Sequence, residues 1–209
     1  MNNCNHTIPT IQQITNLFQL QDKDIICAYL CGSHMWNSCN DKSDFDMIIV
    51  INNNKNELLN MHKSNLEALI ITENKFIEML STYYMQVLIT CFLPNKFIIK
   101  ENKKYLKKIN FNILTKTLND TKERDLRIIT KHIIKNDYTK AEKITLHQLR
   151  YLLLSLQIKQ HNKIVDYSCG ELFIDYKQQI SEYFEQNNDD IIIKITELIN
   201  EIFKQIITV

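Results

Sequence analysis

The sequence predicts an α+β fold: a small mixed β-sheet with flanking helices, followed by a C-terminal helical domain. Short apolar runs rich in β-branched residues cluster in the first half of the 209-residue chain, as buried strands do. Apolar residues at helical spacing dominate from about residue 110 onward. Strands that precede helices, instead of alternating with them, favour a segregated architecture. The composition shift puts a boundary near residue 105, giving units 1–105 and 106–209.

In chain order, Pro9 opens a first helix whose apolar positions are Ile11, Ile14, Leu17 and Phe18. The run Ile25 to Cys31 reads as a buried strand stopped by Gly32. Phe45 to Ile51 is a second strand and Leu66 to Ile71 a third. Glu73 to Phe92 has helical periodicity through Phe76, Leu80, Tyr83, Tyr84, Val87 and Leu88, and Pro94 ends it. Phe97 to Ile99 is a last short strand. In the second half, Leu146 to Ile158 and Ile191 to Ile207 have the clearest helical patterns, separated by a loop around Val165 to Gly170.

Composition narrows the function classes. Hydrophobic residues make up 44% and charged residues 23% of the chain, which reads as an ordinary soluble globular protein. A net charge of +1 gives no global field for nucleic acid or membrane. Six cysteines at irregular spacing, including Cys4 and Cys39, read as reduced thiols in a cytoplasmic compartment. The polar start Asn2 to His6 lacks the pattern of a secretory signal, and Met85 to Leu93 is too short to span a membrane. The abundance of Asn, Ile and Lys suggests an A/T-rich genome and says little about activity.

The segment Gly32 to Asp46 carries the chemistry. Gly32 ends a strand at a point where the lack of a Cβ permits close approach. Ser33 opens a short helix whose first N–H groups favour an anion such as phosphate. A polar loop then leads to Asp44 and Asp46, two residues apart on a strand and so on one face. Paired carboxylates repel unless a cation lies between them, and oxygen ligands select Mg²⁺ or Mn²⁺. An anion site beside a divalent-ion site suits phosphoryl transfer.

Together, Gly32-Ser33, the spacer, and Ser43-Asp44-Phe45-Asp46 running into Met47 to Val50 resemble the signature of polymerase-beta-like nucleotidyltransferases. The resemblance covers about residues 24–75. It implies an NTP substrate, with Gly32, Ser33 and Ser43 at the nucleotide, and Asp44 and Asp46 binding metal. It also implies a third carboxylate on a neighbouring strand, acting as general base and metal ligand. Glu67 is the candidate, where the family more often has Asp, and Glu73 is the fallback. Asn37 stands where many members have a glycine, and Asn tolerates a left-handed backbone. The expected activity is transfer of an NMP from an NTP to an acceptor by a two-metal mechanism. Acceptors in the family include RNA ends, proteins and small hydroxyl compounds such as aminoglycosides.

His147 and Arg150, at i and i+3 on one helix face, are further candidates for holding the triphosphate. Lys163, Asp166 and Tyr167 could line the same cleft, although an ordinary turn explains them better. Trp36 suits stacking on a base or packing of its short helix. Cys27, Cys31, His34 and Cys39 lack the paired spacing of zinc ligands. The lysine run Lys100, Lys103, Lys104, Lys107 and Lys108 suggests a nucleic-acid backbone contact or a solvated linker. Two alternatives to an active enzyme follow: a catalytically weak, nucleotide-binding regulatory or antitoxin-like module, and an RNA-binding protein. Nothing in the sequence fixes the oligomeric state, so a homo-oligomer stays open.

Overall fold

The computed structural model describes residues 7–105, 109–186 and 190–208. Cys4, Lys107 and Lys108 of the sequence readings lie outside them. The chain divides into two compact units, residues 1–108 and 109–209.

The first unit is built on one sheet. Its strands are β1 (Ile25–Leu30), β2 (Phe45–Ile51), β3 (Leu58–Lys63), β4 (Leu66–Thr72) and β5 (Ile98–Glu101), in spatial order β3-β4-β2-β1-β5. The β2–β4 pair is parallel and the other pairs are antiparallel, so the sheet is mixed. Central β2 is apolar without alternation because both its faces are covered: Ile48, Ile49 and Val50 are all fully buried. Burying each such side chain contributes about 1.5–3 kcal/mol. Helix α1 (Ile11–Phe18) starts at Thr10, whose side chain forms a capping box with Gln13. Pro9 therefore precedes the cap and is not the first helical residue.

Two elements differ from the sequence reading. Strand β3 lies on the sheet edge and is mostly exposed, which is why its pattern gives no apolar run. It joins β4 by a two-residue turn at Ser64 and Asn65, with Ser64 at φ 56°. The single helix expected from Glu73 to Phe92 is broken. Helix α3 (Glu73–Ser81) stops where Tyr83 turns left-handed at φ 51°, and Tyr84 N–H closes back on the Met79 carbonyl. Helix α4 (Met85–Leu88) and a 3₁₀ turn over Ile89–Phe92 follow.

The second unit is helical: α5 (Phe111–Ile134), α6 (Tyr138–His161), α7 (Gly170–Gln186) and α8 (Ile191–Thr208), numbered after the short α2 (Gly32–Met35) of the first unit. The Asn110 side chain caps α5 by accepting from two backbone N–H groups, and Asp137 caps α6. Helix α6 packs against α5, α7 and α8. That central position explains its consecutive buried Leu152, Leu153 and Leu154. Helix α8 instead buries one stripe, Ile195, Leu198, Ile199, Ile202 and Ile206. No helix among the described residues is long and apolar enough to cross a membrane.

One cysteine departs from expectation. Cys27, Cys31, Cys91 and Cys169 are free, but Cys39 is disulfide-bonded. Reduced thiols throughout the chain are therefore not what the structure contains.

Candidate active site

Gly32 is a glycine for two reasons. Its φ is +65°, and a Cβ built on it would meet Asp46 Oδ2 at 1.8 Å and Asp46 Cγ at 2.5 Å. The Asp46 carboxylate is thus seated directly on the Gly32 backbone. Strand pairing holds it there: β1 and β2 run antiparallel up to Leu30↔Met47, and Cys31 N–H donates to the Asp46 carbonyl at 2.8 Å. Burial, with Asp46 adding to it, pushes the Cys31 thiol up to about 12, so Cys31 stays a neutral thiol beside the carboxylate.

Across the other edge of β2, Asp46 is in parallel register with Glu67 of β4. Register partners on adjacent strands share a face, with strands about 4.7–4.9 Å apart. Glu67 is in turn opposite His62 of β3. A lateral row of ionisable side chains therefore crosses three strands: His62, Glu67, Asp46. Glu67 and His62 are exposed and Asp46 is half-buried. Sequence reasoning missed His62 because it missed β3. The signal available was Ser64-Asn65 as a two-residue turn before a strand.

Asp44 is exposed and lies one residue before β2 begins at Phe45, so strand alternation fixes the face of Asp46 but not that of Asp44. The loop before it is tied locally. Asn40 N–H donates to the Ser43 hydroxyl at 2.9 Å, and Ser43 N–H to the Asn40 carbonyl at 2.9 Å. Asn37 adopts φ 54°, the left-handed conformation a glycine would supply. Ser33 is half-buried, and its carbonyl accepts from Ser38 N–H at 2.9 Å. Trp36 is only 8% exposed, which assigns it to packing. His34 stacks on Phe45 with ring centroids 4.2 Å apart.

Among the described residues, no three His, Cys, Asp or Glu side chains already converge into a metal site. This leaves the acidic set as two register-paired carboxylates, Asp46 and Glu67, with Asp44 close by in sequence.

Glu73, the fallback carboxylate, lies past the far end of β4 from Glu67. Its Oε1 accepts from Lys103 Nζ at 2.6 Å and from Tyr105 OH at 3.0 Å. The Lys103 hydrogen bond holds its carboxyl below the usual range. Two other lysines of the basic run are also engaged: Lys100 pairs with Asp22 at 2.9 Å, and Lys104 lies 3.9 Å from Glu101. Much of that run therefore serves the first unit's own acids.

His147 and Arg150 belong to the second unit, on α6. Burial, then Arg150 and Lys143, push the His147 pKa down to about 4, so its imidazole is neutral at pH 7. The Arg150 guanidinium stacks over the Phe173 ring at 4.2 Å. Asp166 and its neighbours form a turn: Gln157 Oε1 accepts from Val165 and Asp166 N–H groups, and Asp166 Oδ1 accepts from Ser168. Asp166 is thereby accounted for as a turn residue.

In fold, the chain is similar to spectinomycin adenyltransferase AAD(9) from Enterococcus faecialis, solved with ATP and spectinomycin. Identity is 15%, the match covers 95% of this chain and 99% of that one, and the TM-score is 0.49. It is also similar to a nucleotidyltransferase-like protein from Exiguobacterium sibiricum 255-15, at 11% identity, 92% and 73% coverage and a TM-score of 0.37. At these identities the likeness concerns the path of the chain alone. No protein-family model and no curated protein matches.

Proposed function

We propose that the protein is a nucleotidyltransferase that moves a nucleoside monophosphate from an NTP to an acceptor hydroxyl. The observation that carries this is the Asp46 carboxylate, seated on the left-handed Gly32 and in register with Glu67. Two carboxylates brought together on neighbouring strands supply hard oxygen donors, which fit a divalent cation such as Mg²⁺ or Mn²⁺. Asp46 and Asp44 would hold it, with Glu67 beside them. Bound there, the ion would supply positive charge to the triphosphate and acidify the acceptor hydroxyl.

The chain's own residues then have distinct roles. Gly32 and Ser33 are assigned to the NTP phosphates, and the missing Cβ of Gly32 lets the Asp46 carboxylate, and any cation it holds, sit against that turn. Ser43 fixes the loop that delivers Asp44. Glu67 accepts the proton of the acceptor hydroxyl as its oxygen bonds to the α-phosphorus. The bond from the α-phosphorus to the bridging oxygen breaks, and pyrophosphate leaves with that electron pair.

The test is transfer of label from each of the four NTPs, with Mg²⁺ or Mn²⁺, onto RNA, protein and small hydroxyl acceptors. Asp46→Asn and Glu67→Gln should each lower transfer by about 10²–10³-fold. Equal transfer by wild type and both variants would remove the assignment.

A further inference from the structure

A cavity of about 480 Å³ opens in the helical unit, and no step of the proposed reaction uses it. One face of α5 forms a wall with Asn112, Thr115, Lys116 and Asn119, spaced i, i+3, i+4 and i+7. Lys159 near the end of α6 closes a second side, and Phe203 and Ile207 of α8 supply the apolar side. The volume lies inside the range of small-molecule sites, roughly 300–1,000 Å³.

The chemistry of the lining is one-sided. Among the described residues it holds two ammonium groups, two carboxamides and a hydroxyl, and no carboxylate. The Lys159 ammonium is anchored by donating to the Ile206 carbonyl, which uses one of its three N–H groups and leaves two. Lys116 forms no ion pair among the described residues. Lys122, nearly buried behind them, is already paired: its Nζ is 3.1 Å from Glu123 Oε1 and 2.7 Å from Asn200 Oδ1, and it lies 4.8 Å from the Phe203 ring centroid, so it adds no free charge to the cavity. Two lysines with no ion-pair partner among the described residues, facing one concavity, raise the local concentration of anions. The amides and hydroxyl add neutral donors, and Phe203 with Ile207 offers contact to an apolar or planar group.

We infer that this cavity binds a small phosphorylated ligand, its phosphate between Lys116 and Lys159 and its apolar part against Phe203. The site lies wholly within the second unit and does not depend on Asp46 or Glu67, so it stands or falls separately from the transferase assignment.

The full chain, isotope-labelled and held in EDTA, is titrated with AMP and with inorganic phosphate while backbone amide shifts are followed. The expected result is saturable shifts over Asn112 to Asn119 and at Phe203 and Ile207, with AMP the tighter probe. Asn119→Asp is near-isosteric and places an anion in the cavity, so it should weaken AMP about tenfold or more, as loss of a charge-assisted contact does. Lys116→Gln, at an exposed position that leaves packing alone, should weaken it several-fold. Three results would overturn the site: no saturable shift at these residues with about 10 mM of either probe, shifts confined to the Gly32 to Asp46 region, or equal affinity in wild type and Asn119→Asp.

Discussion

Replacing Gly32 with Ala tests the central contact most directly. Two costs add. A left-handed φ of +65° disfavours any L side chain by about 1–2 kcal/mol. The new methyl would also sit 1.8 Å from Asp46 Oδ2 and 2.7 Å from Asp46 Cβ, so the side chain of Asp46 cannot merely rotate away. Overpacking of that kind costs about 1–3 kcal/mol. The sum is about 2–5 kcal/mol, or some 10–30 °C in the melting of a unit of about 100 residues. Gly170→Ala is the internal control. Gly170 has φ +55°, but its nearest neighbour would be Asp166 Oδ2 at 3.2 Å, the far end of a flexible side chain. It should therefore show the backbone cost alone. Calorimetry on both variants gives the difference, which isolates the Asp46 clash. Adding Asp46→Ala to Gly32→Ala should recover only part of it, because the Cβ contact persists. If the two glycine variants lose the same stability within about 0.5 kcal/mol, Asp46 is not seated on Gly32 and the site as described is wrong.

Other perturbations follow from single features. His147 titrates near 6.5 when unfolded and near 4 when folded, so the unfolded chain binds more protons between those values and stability falls as pH drops through that window. His147→Gln should flatten this slope, worth about 1–3 kcal/mol, in denaturant melts from pH 7 to 4. Glu73, held below its usual range by Lys103, stabilises above the unfolded carboxylate value and loses that contribution as pH falls through the lower folded value. Lys103→Met should shallow the acid limb of the first unit's stability curve, and an unchanged limb would dismiss the pair. Thr10→Ala removes the α1 capping box and should cost about 1 kcal/mol in urea melts.

How much of this was legible in the sequence depends on which physical signal each residue carries. The buried strands announce themselves because β1 and β2 are covered on both faces and must be continuous apolar runs. Gly32 is legible because glycine is so rare here that each occurrence marks a backbone demand. Strand β3 is silent, since an exposed edge strand such as Leu58-Leu59-Asn60-Met61-His62-Lys63 needs no pattern. Its absence hid His62. The break at Tyr83 is silent for a different reason: an aromatic residue in a left-handed conformation goes against local preference and is held by tertiary packing, with Tyr83 only 6% exposed. Helical periodicity across Glu73 to Leu88 survives because both pieces bury the same kind of residue. Asp44 shows the limit of strand logic. Alternation by two reaches it only if the strand does, and the strand begins one residue later.

The pairing of Asp46 with Glu67 implies a reversal that no purely structural role would produce. Ionised carboxylates about 5 Å apart repel by no more than about 3 kcal/mol at an effective dielectric constant near 20, and solvent at the exposed Glu67 reduces this. Without metal, Asp46→Asn removes one charge, keeps the shape against Gly32, and should leave the first unit as stable as wild type or more so. With Mg²⁺ or Mn²⁺ the order should invert. An ion bound only to the native state at ten times its dissociation constant adds about 1.4 kcal/mol, or roughly 5–10 °C in melting, and Asp46→Asn should gain little of it. Melting of both proteins in EDTA and across a metal titration therefore gives two lines that cross. Parallel lines, with both proteins stabilised equally by the ion, would mean that Asp46 serves only the sheet and that the carboxylate pair is a surface accident.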